Sequence, residues 1–304
     1  MTTQQVPEQQ STLRQVAGVI VAQRQTEGGG FVVRRPFPTA RIEHIDPFML
    51  LDEMGPVVYE PGKAIGAPDH PHRGFETVTY ILSGEMEHRD SNGGHGVITP
   101  GAVQWMTAGA GVVHSEMPTE QMMRNGGRMH GFQLWVNLPA AKKMIPPRYQ
   151  GYEAHEIPHK DLSGEGVLRV IAGRVDGVDG VVDTTIPATY AHVSLKAGER
   201  FAWSPETGHT VLVHVFVGSA EVNATVADDG HMVVFERTAG DVHITAGESG
   251  AEMLLLAALP INEPVARYGP FVMNTREEII TAFEDYEAGR LGSIVASGPG
   301  VSRA

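Results

Sequence analysis

The stretch His70-Pro71-His72-Arg73-Gly74-Phe75-Glu76 carries the chemistry around which the rest of the chain is read. Residues two apart in an extended segment project to one face, so His70 and His72 can reach the same metal ion. About forty residues later, Gly111-Val112-Val113-His114-Ser115-Glu116 repeats the device, with His114 and Glu116 two apart and on one face. Four nitrogen and oxygen ligands arriving as two pairs from two strands occupy one side of an ion and leave positions open. Three imidazoles and a carboxylate suit iron, manganese, nickel, copper or zinc, and an open position is what metal-assisted chemistry needs. Either pair alone reads first as ordinary strand residues. Together, each beside a glycine-rich turn in a cysteine-free chain, they read as a metal site as readily as they read as ordinary residues, and the spacing alone goes no further.

Outward from these segments the chain is punctuated by 36 Gly and 20 Pro. Between them lie short runs of Val, Ile, Thr, Phe and Tyr. Strands are expected over Thr77–Leu82, Gly131–Asn137, Val167–Ile171, His192–Leu195, Thr210–Val217, Met232–Phe235 and Glu252–Ala258. Close spacing with Gly or Pro between them favours an all-β sandwich or barrel over alternating βα units. One segment reads as a helix: Asn274 as cap, Glu277 three residues on, Ile279, Ile280, Phe283 and Tyr286 at helical spacing, and Gly289 at the end. A shorter turn is expected over Pro139–Met144, a crossing between halves over Pro146–Lys160, and a frayed start over Met1–Leu13.

The halves look alike. Thr77–Leu82 runs into Ser83-Gly84 and later Pro100-Gly101; Thr210–Val217 runs into Gly218-Ser219 and later Ala239-Gly240-Asp241. A repeat of roughly 130 residues is a duplicated domain, not a solenoid. The expected division is 1–145, carrying the metal site, and 146–304, carrying a degenerate copy and the C-terminal helix. The length of 304 residues agrees, at roughly 150 residues per domain.

Composition removes several function classes. Lys+Arg is 23 and Asp+Glu 36, a net charge of −13, which argues against direct binding of nucleic acid or an anionic membrane surface. With no cysteine there are no disulfides, cysteine nucleophiles or thiolate ligands. Apolar runs such as Met253–Leu259 are too short to span a bilayer. Met1–Gln10 lacks the basic and apolar regions of a signal peptide, so a soluble, cytoplasmic protein is expected. Gly109-Ala110-Gly111 is not a dinucleotide loop, and no GxSxG, P-loop or HExxH pattern occurs.

His70–Glu76, Gly84, Pro100-Gly101 and Gly111–His114 resemble the two cupin motifs. Within that superfamily, Pro68–Val78, Gln104–Gly109, Phe132–Leu138 and Gly269–Thr275 resemble the pirin family, and the likeness runs from about residue 16 to residue 292. The resemblance implies a bicupin: two antiparallel β-sandwich (jelly-roll) barrels face to face with a C-terminal helix. It implies a mononuclear iron, Fe(II), held in the first barrel by His70, His72, His114 and Glu116. Glu76 is the rival carboxylate, because most other cupins take their Glu from that position; the pirin pattern gives it an orienting or structural role instead. Aligning Gly218 with Gly84 puts Ser204, Glu206 and Thr210 opposite His70, His72 and Glu76, so the second site is lost, and His209 and His214 read as ordinary histidines.

Two functions are implied. One is a quercetin (flavonol) 2,3-dioxygenase, which opens the heterocyclic ring of a small aromatic substrate with O₂ and releases carbon monoxide. Glu116 is then the base for the 3-hydroxyl proton. The other is an iron-dependent regulator that binds a protein partner, a transcription factor or enzyme. Trp105, Phe132 and Trp135 are candidate pocket walls, although such aromatics are more often core. Arg73 either steers an anion or pairs with Glu76 or Asp69.

Overall fold

The computed structural model describes residues 12–27 and 30–294. The expected frayed start lies outside the described residues except for Thr12 and Leu13, and Leu13 forms a parallel bridge with Asp241. Each expected strand falls inside an observed one; Thr77–Leu82, for example, lies within Phe75–Ser83, and Glu252–Ala258 within Val242–Ala258. β-branched and aromatic side chains suit a pleated, half-buried surface, which is why these runs read correctly.

The chain forms two compact units, and strand pairing distributes its ends between them. One unit comprises Ala22–Pro158, Gly180–Pro187 and Pro260–Ala304; the other Met1–Val21, His159–Asp179 and Ala188–Leu259. A single cut after residue 145 therefore does not describe the packing. Val16–Val21 pairs with His231–Phe235 in the second unit, while the C-terminal helix Arg276–Glu287 packs within the first, its Ile279 and Ala282 beside Val113 and Phe271.

The first unit holds the histidine segments. Its seven-stranded sheet runs, in spatial order, Arg148–Tyr152, Val103–Thr107, Phe75–Ser83, Gly127–Asn137, Phe48–Tyr59, Phe31–Phe37 and Gln23–Glu27. A four-stranded sheet runs Ala67–His72, Val112–Pro118, Met86–Asp90 and His95–Ile98. Ile81, Met86, Ile98, Ala102, Met122 and Met129 form an apolar cluster within this sandwich. The second unit is a nine-stranded sheet centred on Thr210–Val222 and Val242–Ala258. Its interior is apolar, including Leu168, Val193, Val213, Val233 and Leu255. Pairing throughout both large sheets is antiparallel, so the all-β duplicated architecture holds.

The helix begins one residue later than expected. Thr275 is the cap: its hydroxyl accepts from the Glu278 N–H, and the Glu278 carboxylate accepts from the Thr275 N–H, closing a capping box. Asn274 is committed elsewhere, its side chain donating to Pro264 O and Glu263. The expected crossing Pro146–Lys160 contains the strand Arg148–Tyr152 and the start of His159–Asp161, and a short helix, Glu120–Asn125, lies outside the sequence expectations. Among the described residues no helix is long and apolar enough to cross a membrane.

Candidate metal centre

Pairing of the two motif strands builds the site. Val112–Pro118 runs antiparallel to Ala67–His72, with His114 opposite His70 and Val112 opposite His72. Both His-x-His and His-x-Glu thus point into the sandwich from adjacent strands. The ligating atoms of His70, His72 and His114 lie within 4.8 Å of one another. His72 and His114 are buried, and His70 is partly exposed.

The hydrogen bonds select one nitrogen on each ring. His70 Nδ1 donates to Pro68 O at 2.7 Å and His72 Nδ1 to Pro270 O at 3.2 Å. Nδ1 of His114 lies 3.5 Å from Nδ1 of His88, which also accepts from Gln104 Nε2 at 3.0 Å, while His88 Nε2 donates to Asp90 at 3.1 Å. This network assigns Nδ1–H tautomers to the three clustered histidines, leaving each Nε2 as a lone-pair donor. Nε2 of His72 and of His114 are buried with no hydrogen-bond partner. Buried polar atoms ordinarily have partners; two such orphans converging on a third imidazole fit a bound transition metal. Burial first, and then the neighbouring imidazoles, push both pKa values well below the usual histidine range, keeping the rings neutral and ready to ligate.

Glu116 lies on the same face as His114 but outside the triple cluster. Its carboxylate accepts from Thr79 Oγ1 at 2.6 Å and Gln133 Nε2 at 2.9 Å. Thr79 and Gln133 are cross-strand partners in the large sheet. Glu76 is three residues from Thr79, so the pleat turns it to the opposite face. There it accepts from Thr107 at 2.7 Å and Thr185 at 2.6 Å.

His70, His72 and Glu116 line a cleft of about 570 Å³, together with Phe31, Leu50, Trp135 and Arg267. Of the three candidate aromatic walls, only Trp135 lies in it. Trp105 pairs with Val78 and Phe132 with Tyr80, so both face away from Thr79 and are fully buried core. Arg73 takes neither expected partner. It donates to Ala110 O at 2.6 Å and pairs with Asp285 at 2.7 Å, tying the two motif segments to the C-terminal helix. The turn after His72 is equally fixed. Gly74 has φ +88°, and a Cβ there would meet Val272 O at 2.0 Å. Lys143 donates to Gly74 O, Asn137 Oδ1 and Val272 O, and burial brings its ammonium down to about 8.

Sequence reading missed His88 and its Asp90 and Gln104 partners. A signal existed: His88-Arg89-Asp90 repeats the His-x-acid alternation of His114-Ser115-Glu116. In the second unit no three-residue cluster of metal-ligating side chains occurs among the described residues. His192 contacts Glu252 at 3.2 Å and His209 contacts Glu206 at 3.4 Å.

The comparisons with known proteins agree with this geometry. The pirin family description matches residues 30–136, and that of the pirin C-terminal cupin domain matches residues 190–292. A Pseudomonas aeruginosa protein, provisionally named a quercetin 2,3-dioxygenase, is 43% identical over 272 residues, covering 88% of this chain and 95% of that one. A pirin-like protein of Caulobacter vibrioides is 40% identical over 284 residues, covering 91% and 99%. The crystal structure of a quercetin 2,3-dioxygenase from Acinetobacter baumannii superposes with a TM-score of 0.87 at 38% identity, covering 93% of this chain and 100% of that one. With a duplicated β-sandwich, a three-histidine cluster in one copy and family matches in both halves, this chain belongs to the pirin family.

Proposed function

We propose that the protein is a cytoplasmic, metal-dependent dioxygenase of the quercetin 2,3-dioxygenase kind, acting with O₂ on a flavonol or similar planar aromatic at a mononuclear Fe(II). The observation that carries this reading is the convergence of three imidazoles, two of which line a cleft of about 570 Å³, a size ordinary for small-molecule sites. Quercetin dioxygenase names among its relatives support the substrate class. His70, His72 and His114 hold the ion through Nε2, and Glu116 completes the set. A ferrous ion, when bound, polarises the substrate's chelating oxygens and supplies redox chemistry toward O₂. Glu116 takes the proton of the 3-hydroxyl; such general-base action contributes about 10²–10⁴-fold. Thr79 and Gln133 keep its carboxylate aimed. Trp135, Leu50 and Phe31 cover the aromatic faces and exclude water.

The test is oxygen uptake with quercetin by protein purified anaerobically and loaded with iron. Uptake should require the metal and His72 together. If the iron-loaded protein consumes no more oxygen than His72→Ala, the regulatory reading replaces it. The net charge of −13 then directs the search to a protein partner and not to DNA.

A further inference from the structure

Two arginines line the cleft in different electrostatic circumstances. Arg35 is saturated: Nε and Nη2 donate to the two Asp52 oxygens, both at 2.5 Å, and Nη1 pairs with Glu27 at 2.6 Å. Arg267 has no such partner. Its guanidinium lies 4.8 Å from the centre of the Trp135 ring, and Nη1 donates to Met49 O at 3.1 Å. Among the described residues no carboxylate lies within ion-pairing distance of it. Burial, and next the like charge of Arg35, lower its pKa. A half-buried guanidinium whose contacts are one neutral carbonyl and one π face keeps several N–H donors free of a direct carboxylate partner.

The placement gives that charge a direction. Trp135 packs edge-on against His72, with ring centres 5.1 Å apart. Imidazole, indole and guanidinium therefore form one continuous wall, leading from the metal-ligating atoms to the arginine. The indole ring pins the guanidinium, so little side-chain freedom is lost when a ligand binds. Asp52 and Glu27 act on Arg267 through space, but their hydrogen bonds and ion pairs go to Arg35, so the guanidinium of Arg267 keeps its donors for a ligand.

We infer that Arg267, seated on Trp135, is a receptor for an anionic oxygen, a carboxylate or an ionised phenol, borne by the aromatic ligand at the end remote from its chelating oxygens. Arg267 is thus a specificity-determining residue, and it selects aromatic acids or ionised polyphenols over neutral aromatics of the same shape. The inference rests on reading the cleft as a substrate site, but its test does not depend on turnover.

The probes are benzoate, its neutral isostere benzamide, and 4-nitrophenolate, titrated calorimetrically into the intact protein with and without metal. Benzoate should bind at least about tenfold more tightly than benzamide, and added salt should weaken benzoate alone. Arg267→Gln should remove the difference while leaving metal content unchanged. Arg267→Lys, which keeps the charge but loses the planar fork, should fall between. Binding of 4-nitrophenolate as tight as that of benzoate supports recognition of any anionic oxygen; weak binding narrows the class to carboxylates. Equal binding of benzoate and benzamide by the unaltered protein, or undiminished benzoate binding by Arg267→Gln, overturns the inference. If quercetin is not oxidised yet benzoate still discriminates through Arg267, the dioxygenase reading fails and the subsite stands. If quercetin is oxidised and benzoate does not discriminate, the subsite alone fails.

Discussion

The same row of four residues crosses the large sheet of each unit, and the two rows differ only in chemistry. In the first unit Asp52, Gln133, Thr79 and Gln104 are consecutive cross-strand partners. In the second, Ala191, Leu255, Val213 and Val233 occupy the corresponding register. The glycine turns anchor the correspondence: Thr79 lies five residues before Gly84, and Val213 five before Gly218. Both glycines have positive φ, +82° and +72°. In the first unit each polar group of the row has a partner that leads to the site. Asp52 holds Arg35, Gln133 and Thr79 hold Glu116, and Gln104 holds His88. The apolar row is close-packed core. One backbone plan thus supports either a polar interior that positions ligands or a filled interior that contributes burial, about 1.5–3 kcal/mol for each large side chain.

The strongest way to break this contrast is to count metal. One ion per chain is expected; His72→Ala should abolish retention, whereas His209→Ala should not change it, as read by elemental analysis. Two tightly held ions per chain would remove the distinction between the units. A smaller effect is expected from carrying the inert row into the first unit. Thr79→Val with Gln133→Leu strips both donors from Glu116, and ligand affinity or turnover should fall about 10- to 100-fold with the fold intact. Glu76→Gln, on the opposite face, should retain the ion; its loss on metal analysis would mark Glu76 as the true carboxylate ligand.

The converse change, Val213→Thr, buries a hydroxyl among apolar neighbours and should cost about 1–3 kcal/mol in denaturant unfolding without touching activity. The smallest effect concerns acid. His72 and His114 have depressed pKa values in the fold, whereas in the unfolded chain they titrate near 6.5. The unfolded chain therefore takes up protons first as pH falls. Stability of the metal-stripped protein should be complete above about pH 6.5 and decline below it. Thermal unfolding across that range should show a shallower decline in His72→Gln. An unchanged slope would mean that these rings are solvated.

Legibility in the sequence followed the range of the interaction. The His-x-His and His-x-Glu pairs were visible because strand alternation is local: residues two apart share a face whatever the rest of the chain does. Strand cores such as Thr210–Val217 were visible for the same reason. The helix cap was misplaced by one residue because Asn274 and Thr275 are both good caps, and the choice turned on a distant demand, the Pro264 carbonyl and Glu263 that engage Asn274. Aromatic content is local and leaves Trp105 and Phe132 open between pocket wall and core; which face of the sheet they occupy depends on register against partner strands.

By itself the sequence determined an all-β duplicated fold, one half bearing the paired His-x-His and His-x-Glu and a second half without that ligand set. Those properties are written in residue type and short spacing. Only the tertiary structure decided which Nε2 atoms are orphaned, that His88 backs His114, and that the C-terminal segment supplies the carbonyl orienting His72. It alone also exchanged the chain ends between the units and seated Arg267 on the Trp135 ring. The physical reason is sequence distance. Pro270 lies 198 positions beyond His72, and no local propensity encodes a hydrogen bond that exists only once both sheets have formed.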